Sequence, residues 1–569
     1  METEHRPSRV LHRSTSHLHD YGRSVKHLFS SKPVTPPQVK IISSNDKIDE
    51  ENNPKYNALT FYPAKLDEIL DNRYKLLAKL GHGMTATVWL AKDLQATPSS
   101  SRKYVTIKIN VNTLSTEHFK SRRQISERLA TADPTHPGYN HVRFSLDSFR
   151  IKGPRHGLDR SPEHLCIVYD VLREPIDECM RRWPNARFSG AKLRLLLPSL
   201  LLGLDYMHTS GVVHTDLKAD NIMMGLGNPE VLENFVQDLI KNPQARKMPD
   251  SHGRIIYKER SDFGVAPTDE VIKSAKITDI GLAEWGDQEN NKPIQSNAFT
   301  APEVILTAGW SYPTDIWNLG VMLWDIVGED GLFDVIATGP GKYHSDQHLG
   351  AMVALLGPPP KELLERGSTS ATYFNEKGEL RKTKLINARC TWDAQIKKFM
   401  KGEERELFID FAKKMICWLP EERWTAKQLL DHPFLTKTEF ATWPDPDEET
   451  DFIAQYAVTR PRSSTHTPLP TPSPTGESPP GESPENTPAP SIRGLAATGR
   501  ASTVSSIASG VNLTVTSAPL ARSSSNISNR SCNAATQDLI DSILKSGKPK
   551  SGTSTPAIKE EPSEPSSTT

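Results

Sequence analysis

The 569-residue chain carries 69 Lys plus Arg against 69 Asp plus Glu, a balance that supplies no global attraction to nucleic acid or to a membrane surface. Its five cysteines, Cys166, Cys179, Cys390, Cys417 and Cys532, include no C-x-x-C pair and no histidine cluster at metal-ligand spacing, so a reducing compartment without structural zinc is expected. The most apolar run, Leu193 to Leu204, contains Pro198 and is far short of the roughly 20 residues that span a bilayer. A soluble protein is therefore expected, cytoplasmic and/or nuclear. No apolar core follows Met1, which argues against a secretory signal, and Glu2, Glu4 and Asp20 argue against a transit peptide.

Residues 1–55 show no hydrophobic period of 2 or 3.6 and read as a disordered tail. From 56 to 172 short β-type runs dominate, and from 173 to 435 longer apolar-periodic segments follow. That order predicts an α+β fold with a small β-rich lobe and a larger helical one. Residues 445–569 are rich in Ser, Thr, Pro and Gly, a composition unable to bury enough apolar surface to offset backbone ordering, and read as a second disordered tail with one short amphipathic turn at Leu539 to Leu544.

In the first lobe, Leu80-Gly81-His82-Gly83-Met84-Thr85-Ala86-Thr87-Val88 has the glycines of a turn that lets backbone approach phosphates closely; the third glycine of such turns is Ala86 here. Further on, Val105-Thr106-Ile107-Lys108-Ile109 alternates like a strand, and an inward Lys108 among β-branched residues needs an anionic partner, which nucleotide phosphates supply. Leu193, Leu196, Leu197, Leu200, Leu201 and Leu204 then mark one face of a helix with Ser189 as N-cap and a kink expected at Pro198. This helix delivers the chain into His214-Thr215-Asp216-Leu217-Lys218-Ala219-Asp220-Asn221. Phosphoryl transfer needs a carboxylate to orient the attacking hydroxyl, a cation near the transferred group and an oxygen ligand for a metal ion, and Asp216, Lys218 and Asn221 offer these at the required spacing.

Two segments compete to supply the second metal ligand. Asp262-Phe263-Gly264 spells D-F-G literally but sits among charged residues near Pro267, without a strand leading into it. Asp279-Ile280-Gly281 follows a β-like stretch, and Glu303 of Ala301-Pro302-Glu303 stands 22 residues beyond Gly281, the D-x-G to A-P-E interval. Asp279 is the expected ligand and Asp262 a decoy in an insert running from about Gly225 to Val271. Later, Asp315 opens an apolar helix that reads as the anchor of the catalytic-loop backbone, and Arg423 is the expected buried partner of Glu303.

Together these motifs identify residues 56–435 as resembling the eukaryotic protein kinases, and specifically the SR-protein kinase branch of the CMGC group in its fungal type. The narrower match rests on Phe61-Tyr62-Pro63-Ala64-Lys65-Leu66-Asp67, on Thr215 where most kinases have Arg, and on Phe374-Asn375-Glu376-Lys377-Gly378-Glu379-Leu380. The resemblance implies a bilobal fold with an N-lobe and hinge over 56–172 and a C-lobe over 173–435. It implies ATP bound by Leu80, Gly81, His82, Gly83, Val88, Lys108 and the hinge residues Asp170 and Leu172, with Mg2+ on Asn221 and Asp279 and Asp216 and Lys218 in catalysis. Glu303, Asp315 and Arg423 take structural roles. The implied partner of this monomeric enzyme is a protein substrate, of Arg/Ser-rich type in this branch, with no direct nucleic-acid contact and no membrane. In two places the chain departs from the pattern. Counting back from Asp133-Pro134, the helix position that holds the glutamate paired with the ATP lysine falls at Arg122, leaving Glu117 and Glu127 as stand-ins, and the arginine ahead of A-P-E is Thr300. The alternative function, a pseudokinase scaffold recruiting partners through its tails, is disfavoured because Lys108, Asp216, Asn221 and Asp279 are all retained. Thr215 and the near absence of basic residues from Asp279 to Glu303 predict a segment ordered by Trp285, Ile294 and Phe299 rather than by a phosphate.

Overall fold

The computed structural model describes residues 38–440 except 98–99, 115, 156–160, 182–185, 265–266, 329–330, 334–342, 387–389, 394–395, 397–399 and 439, with the side chains of 116–119 also outside the description. The chain enters through β1 (Ile41–Ile42) and a 3-10 turn at Asp49–Asn52. It then builds an antiparallel sheet from β2 (Ile69–Leu70), β3 (Tyr74–His82), β4 (Ala86–Asp93), β5 (Tyr104–Asn110), β6 (Ser145–Lys152) and β7 (Glu163–Tyr169), in the order β2-β3-β4-β5-β7-β6. β-Branched residues give β5 its extended preference, and Val105, Ile107 and Ile109 bury against Tyr74, Leu76 and Trp89. Between β5 and β6, α1 (Thr116–Thr131) buries Ile125 and Leu129, spaced four apart on one face, in the core of the second lobe.

The second lobe opens with α2 (Ile176–Met180) and α3 (Gly190–Thr209). Ser189 caps α3, its hydroxyl accepting from Lys192 N at 3.3 Å, and the six predicted leucines are fully buried. Pro198 removes a backbone donor, at a cost of about 3 kcal/mol, yet α3 runs through it without ending, because each buried leucine returns roughly 1.5–3 kcal/mol. Next come β8 (Val212–Val213), β9 (Ile222–Met223), α4 (Pro229–Lys241), β10 (Arg246–Lys247), α5 (Asp269–Lys273), β11 (Lys276–Ile277) and β12 (Glu284–Trp285). β9 pairs with β11 and β8 with β12, two short antiparallel ribbons that hold the ends of the catalytic loop. Then α6 (Pro302–Ile305) and α7 (Pro313–Val327), followed by further helices to Thr436, complete a core around the leucine face of α3.

The tail expected over residues 1–55 ends earlier: residues 38–55 are ordered. β1 pairs in parallel with β10, and Asp49 and Glu50 are buried against the ammonium of Lys79 on β3, which also donates to Tyr257 O at 3.0 Å. A buried lysine is costly unless paired. That electrostatic demand fixes the strap, and no apolar period announces it. Residues 445–569, with the turn at Leu539 to Leu544, lie outside the described residues.

The insert after the catalytic loop climbs onto the first lobe. Leu232 and Phe235 of α4, with Phe263, pack on Ala78, Leu90 and Val171. Gln244 bonds both backbone groups of Lys79, at 2.9 and 2.6 Å. On its way down, Glu259 pairs with His82 at 2.6 Å, Arg260 N donates to Lys79 O at 3.0 Å, and Ser261 donates to Glu178 of α2 at 2.8 Å.

Candidate active site

The catalytic loop starts from a backbone that one carboxylate holds. Asp315, fully buried at the start of α7, accepts from His214 N at 2.7 Å, Thr215 N at 2.9 Å and His208 Nε2 at 3.0 Å. Thr215 has φ +70°, a conformation costly for a β-branched residue. Those bonds, and its hydroxyl donating to Leu282 O at 2.7 Å, hold it there. The strained turn presents Asp216 to the cleft.

Three side chains converge on Asp216. Lys218 Nζ stands 3.0 Å from Oδ2, Asn221 Nδ2 donates to Asp216 O at 2.8 Å and to Oδ2 at 3.3 Å, and Ser296 Oγ donates to Oδ1 at 2.9 Å. Asn221 spends its amide nitrogen in these bonds, so its side-chain oxygen is the atom suited to a cation. Ser296 joins the site although no motif named it as a site residue; its position ahead of A-P-E is the only sequence signal.

Asp279 lies beside this group because Thr278 N and Oγ1 both donate to Asn221 O, at 2.8 and 3.0 Å, while Thr278 O contacts His214 Nε2 at 2.9 Å. Its left-handed backbone, φ 56° and ψ 55°, turns the carboxylate toward β5, where Lys108 Nζ meets Oδ1 at 2.8 Å. The Lys108 ammonium holds Asp279 well below the usual carboxylate range against the opposing effect of burial, and Arg122 and His214 add to the depression. Two oxygens, the neutral amide oxygen of Asn221 and the carboxylate of Asp279, thus suit a hard divalent cation.

The stand-in Glu127 does not reach Lys108. It pairs with Arg123 at 2.7 Å on the exposed face of α1, four residues on along the helix. Glu117 lies outside the described side chains. Among the described residues the lysine's ion pair is with Asp279, and Arg122 faces the same segment. The literal D-F-G lies elsewhere: Asp262 Oδ1 accepts from Gly264 N at 2.7 Å, and the Phe263 ring packs on Phe235 at 4.6 Å in the insert.

Above the cleft, Gly83 N closes the β3–β4 turn on Ala86 O at 2.8 Å. A Cβ on Gly81 would meet no atom within 4 Å, so protein packing does not demand glycine there and the space suits a ligand. Val88 pairs with Lys108 across β4 and β5, and Leu80 joins the cluster of Ala78, Leu90 and Val171. At the hinge Leu172 is buried, while the Asp170 carboxylate binds Arg102 Nε at 2.9 Å and its carbonyl accepts from Arg143 Nη2 at 2.6 Å.

Farther down, Arg423 grips Glu303 with two bonds of 2.7 Å, both side chains almost fully buried. Ile294 packs with Val213 and Trp310, Trp285 and Phe299 lie against the main core, and Lys292 pairs with Glu284. On α2 the Asp177 carboxyl is pushed up to about 7 by burial, then by Asp220 and Glu178, against the pull of Arg181.

The protein kinase domain model matches residues 74–238 and 256–435, the gap falling inside the insert. A serine/threonine protein kinase of Aspergillus fumigatus is 33% identical over 417 residues, covering 71% of this chain and 95% of the relative. A serine/threonine-protein kinase SRPK of Physarum polycephalum is 28% identical over 405 residues, 68% of this chain and 91% of the relative. The protein kinase dsk1 of Schizosaccharomyces pombe is 23% identical over 487 residues, 70% and 87%. With that match across both lobes and these motifs, the chain belongs to the protein kinase family, as a serine/threonine kinase of the SR-protein kinase branch.

Proposed function

We propose that the chain transfers the terminal phosphoryl group of ATP to serine hydroxyls of basic protein segments. The observation that carries the reading is the convergence of Lys218, Asn221 and Ser296 on Asp216, with Asp279 alongside. Asp216 is a fixed acceptor: held by Lys218, Asn221 and Ser296, its oxygens can orient a hydroxyl and take its proton as the oxygen attacks. Lys218 then offers its positive charge to the phosphoryl group as negative charge spreads over its oxygens. Lys108, on a central strand, holds the α- and β-phosphates, and the open space at Gly81 lets backbone amides approach them. Asn221 and Asp279 would hold Mg2+, which when bound would neutralise phosphate charge. Leu80, Val88 and the buried Leu172 would wall the base.

The preference for basic segments rests on Asp177 and Asp220. Burial, then the charges of Asp220 and Glu178, raise the Asp177 carboxyl; Arg181, at 3.1 Å, offsets part of that, and a substrate guanidinium would offset more. The SRPK-named relative accords with Arg/Ser-rich substrates. As a test, peptides alternating Arg and Ser are assayed against Lys/Ser and neutral versions. Asp279→Ala should abolish transfer while Asp262→Ala leaves it within a few-fold, and Asp177→Asn should raise KM for the Arg/Ser peptide about tenfold with kcat kept, the loss of one charged contact. Equal loss in the Asp279 and Asp262 variants overturns the site assignment; an unchanged KM in Asp177→Asn overturns the substrate class.

A further inference from the structure

Among the described residues, helix α1 brings a cation rather than a carboxylate to the metal end of the cleft. The helix is anchored by the buried Ile125 and Leu129, which fixes Arg122 one turn earlier, over Gly281. Its Nε is buried and makes no hydrogen bond. A single carbon added to Gly281 would stand 2.9 Å from Asp279 Oδ1 and 3.8 Å from Arg122 Cζ, so carboxylate and guanidinium both lie within 4 Å of one point. Burial works against the charged guanidinium, and the carboxylate of Asp279, then Tyr169 and Glu284, offset that penalty. From the other side Lys108 Nζ reaches the same carboxylate at 2.8 Å. Two cations therefore share one carboxylate, where a helix glutamate would draw the lysine toward itself and leave the aspartate free for metal.

We propose that Arg122 is a positioning residue that competes with magnesium for Asp279, so that the metal site of this kinase fills only at magnesium concentrations well above those its own carboxylate would set. The inference rests on Asp279 being a metal ligand, as proposed above. An arginine cannot shed its proton to make way for a metal, and its stem is fixed by the helix. Its charge persists beside the ion whatever Lys108 does. A fixed unit charge a few ångströms from a cation site, at the effective dielectric of a partly solvated cleft, weakens binding on the order of tenfold.

The full-length chain and its Arg122→Gln, Arg122→Met and Arg122→Lys variants decide the matter through two readouts. One is the free magnesium giving half-maximal rate at saturating ATP. The other, independent of turnover, is the free magnesium giving half the thermal stabilisation produced by a non-hydrolysable ATP analogue. Arg122→Gln and Arg122→Met should lower both midpoints about five- to tenfold, and Arg122→Lys should keep them near the wild-type values. The proposal is overturned if either neutral variant that folds keeps the wild-type midpoints, or if Arg122→Lys shifts as far as Arg122→Gln, which would make the effect one of packing. Should both neutral variants fail to fold, the Lys variant still decides, since a charge role predicts wild-type midpoints and a packing role does not. Retained activity and retained magnesium-dependent stabilisation in Asp279→Ala would instead sink the assignment of Asp279 as a ligand.

Discussion

Among the buried charges of the described residues, one cluster in each lobe stands out, and the two are built differently. In the large lobe Arg423 meets Glu303 in a two-bond planar fork that short motifs announce. In the small lobe Lys79 meets Asp49, Glu50 and Tyr257 O, partners drawn from the N-terminal strap and from the insert. Desolvating a charge costs several kcal/mol whichever motif surrounds it, so both clusters need near-complete pairing. The difference shows that an electrostatic necessity can be met by recurrent local patterns or by segments with no pattern of their own.

The comparison breaks most visibly in the large lobe. Arg423→Ala leaves Glu303 buried and unpaired, and a loss of about 3–5 kcal/mol is expected, read as a collapse of the thermal transition followed by circular dichroism. Lys79→Ala strands two acids instead of one and should cost about as much, although concentrated in the small lobe. If the strap exists to satisfy Lys79, then adding Asp49→Asn and Glu50→Gln to Lys79→Met should recover most of that loss. A triple variant no better than Lys79→Ala would show that the strap has another function.

A smaller effect is expected in the segment between Asp279 and Glu303. Its one lysine, Lys292, is already paired with Glu284, and Thr215 gives its hydroxyl to Leu282 O, so the segment itself offers a phosphate no free lysine or arginine. Protein made in bacteria and treated with phosphatase should keep its rate within about twofold, as should a Thr300→Ala variant that folds. Loss of most activity on dephosphorylation, regained on re-phosphorylation at Ser296 or Thr300, would contradict packing by Ile294, Trp285 and Phe299.

The smallest effect is a pH dependence at the glycine turn. Burial pulls the His82 imidazole down, but the hydrogen bond and charge of Glu259 prevail, and it ends above its ordinary 6.5, with Lys79 opposing and Asp49 assisting. A raised histidine stabilises the fold fully below its unfolded value, and that contribution disappears as pH climbs through the folded value. The melting-temperature gap between wild type and Glu259→Gln should therefore be widest near about pH 6 and close by about pH 9, for a partly exposed pair worth roughly 0.5–1 kcal/mol. A gap that widens with pH would place the charge elsewhere.

Much of the large lobe was legible because its signals are short and local. The leucines of α3 repeat at helical spacing, Ser189 caps it, and the spacing from Asp279 to Glu303 separates one D-x-G from its decoy. What the sequence concealed depends on partners far along the chain. The strap over 38–55 carries no apolar period and is held by a lysine on β3, and Glu127, one turn from the wanted position, turns outward to Arg123. The insert's descent past His82, Lys79 and Glu178 had no motif at all.

That descent has a consequence for how the molecule comes to exist. Gln244 meets Lys79 across 165 residues and Glu259 meets Asp49 across 210, contacts that cannot form until the insert has been synthesised. At 5–20 residues per second, roughly 10–35 s separate the emergence of His82 from that of Glu259. For most of that interval the nascent sheet holds a β3 whose backbone lacks Gln244 and whose apolar patch at Ala78 and Leu90 lacks Phe235 and Phe263. Closure of such distant contacts is slow and leaves apolar surface exposed. The first lobe to leave the ribosome is thus among the last to be finished.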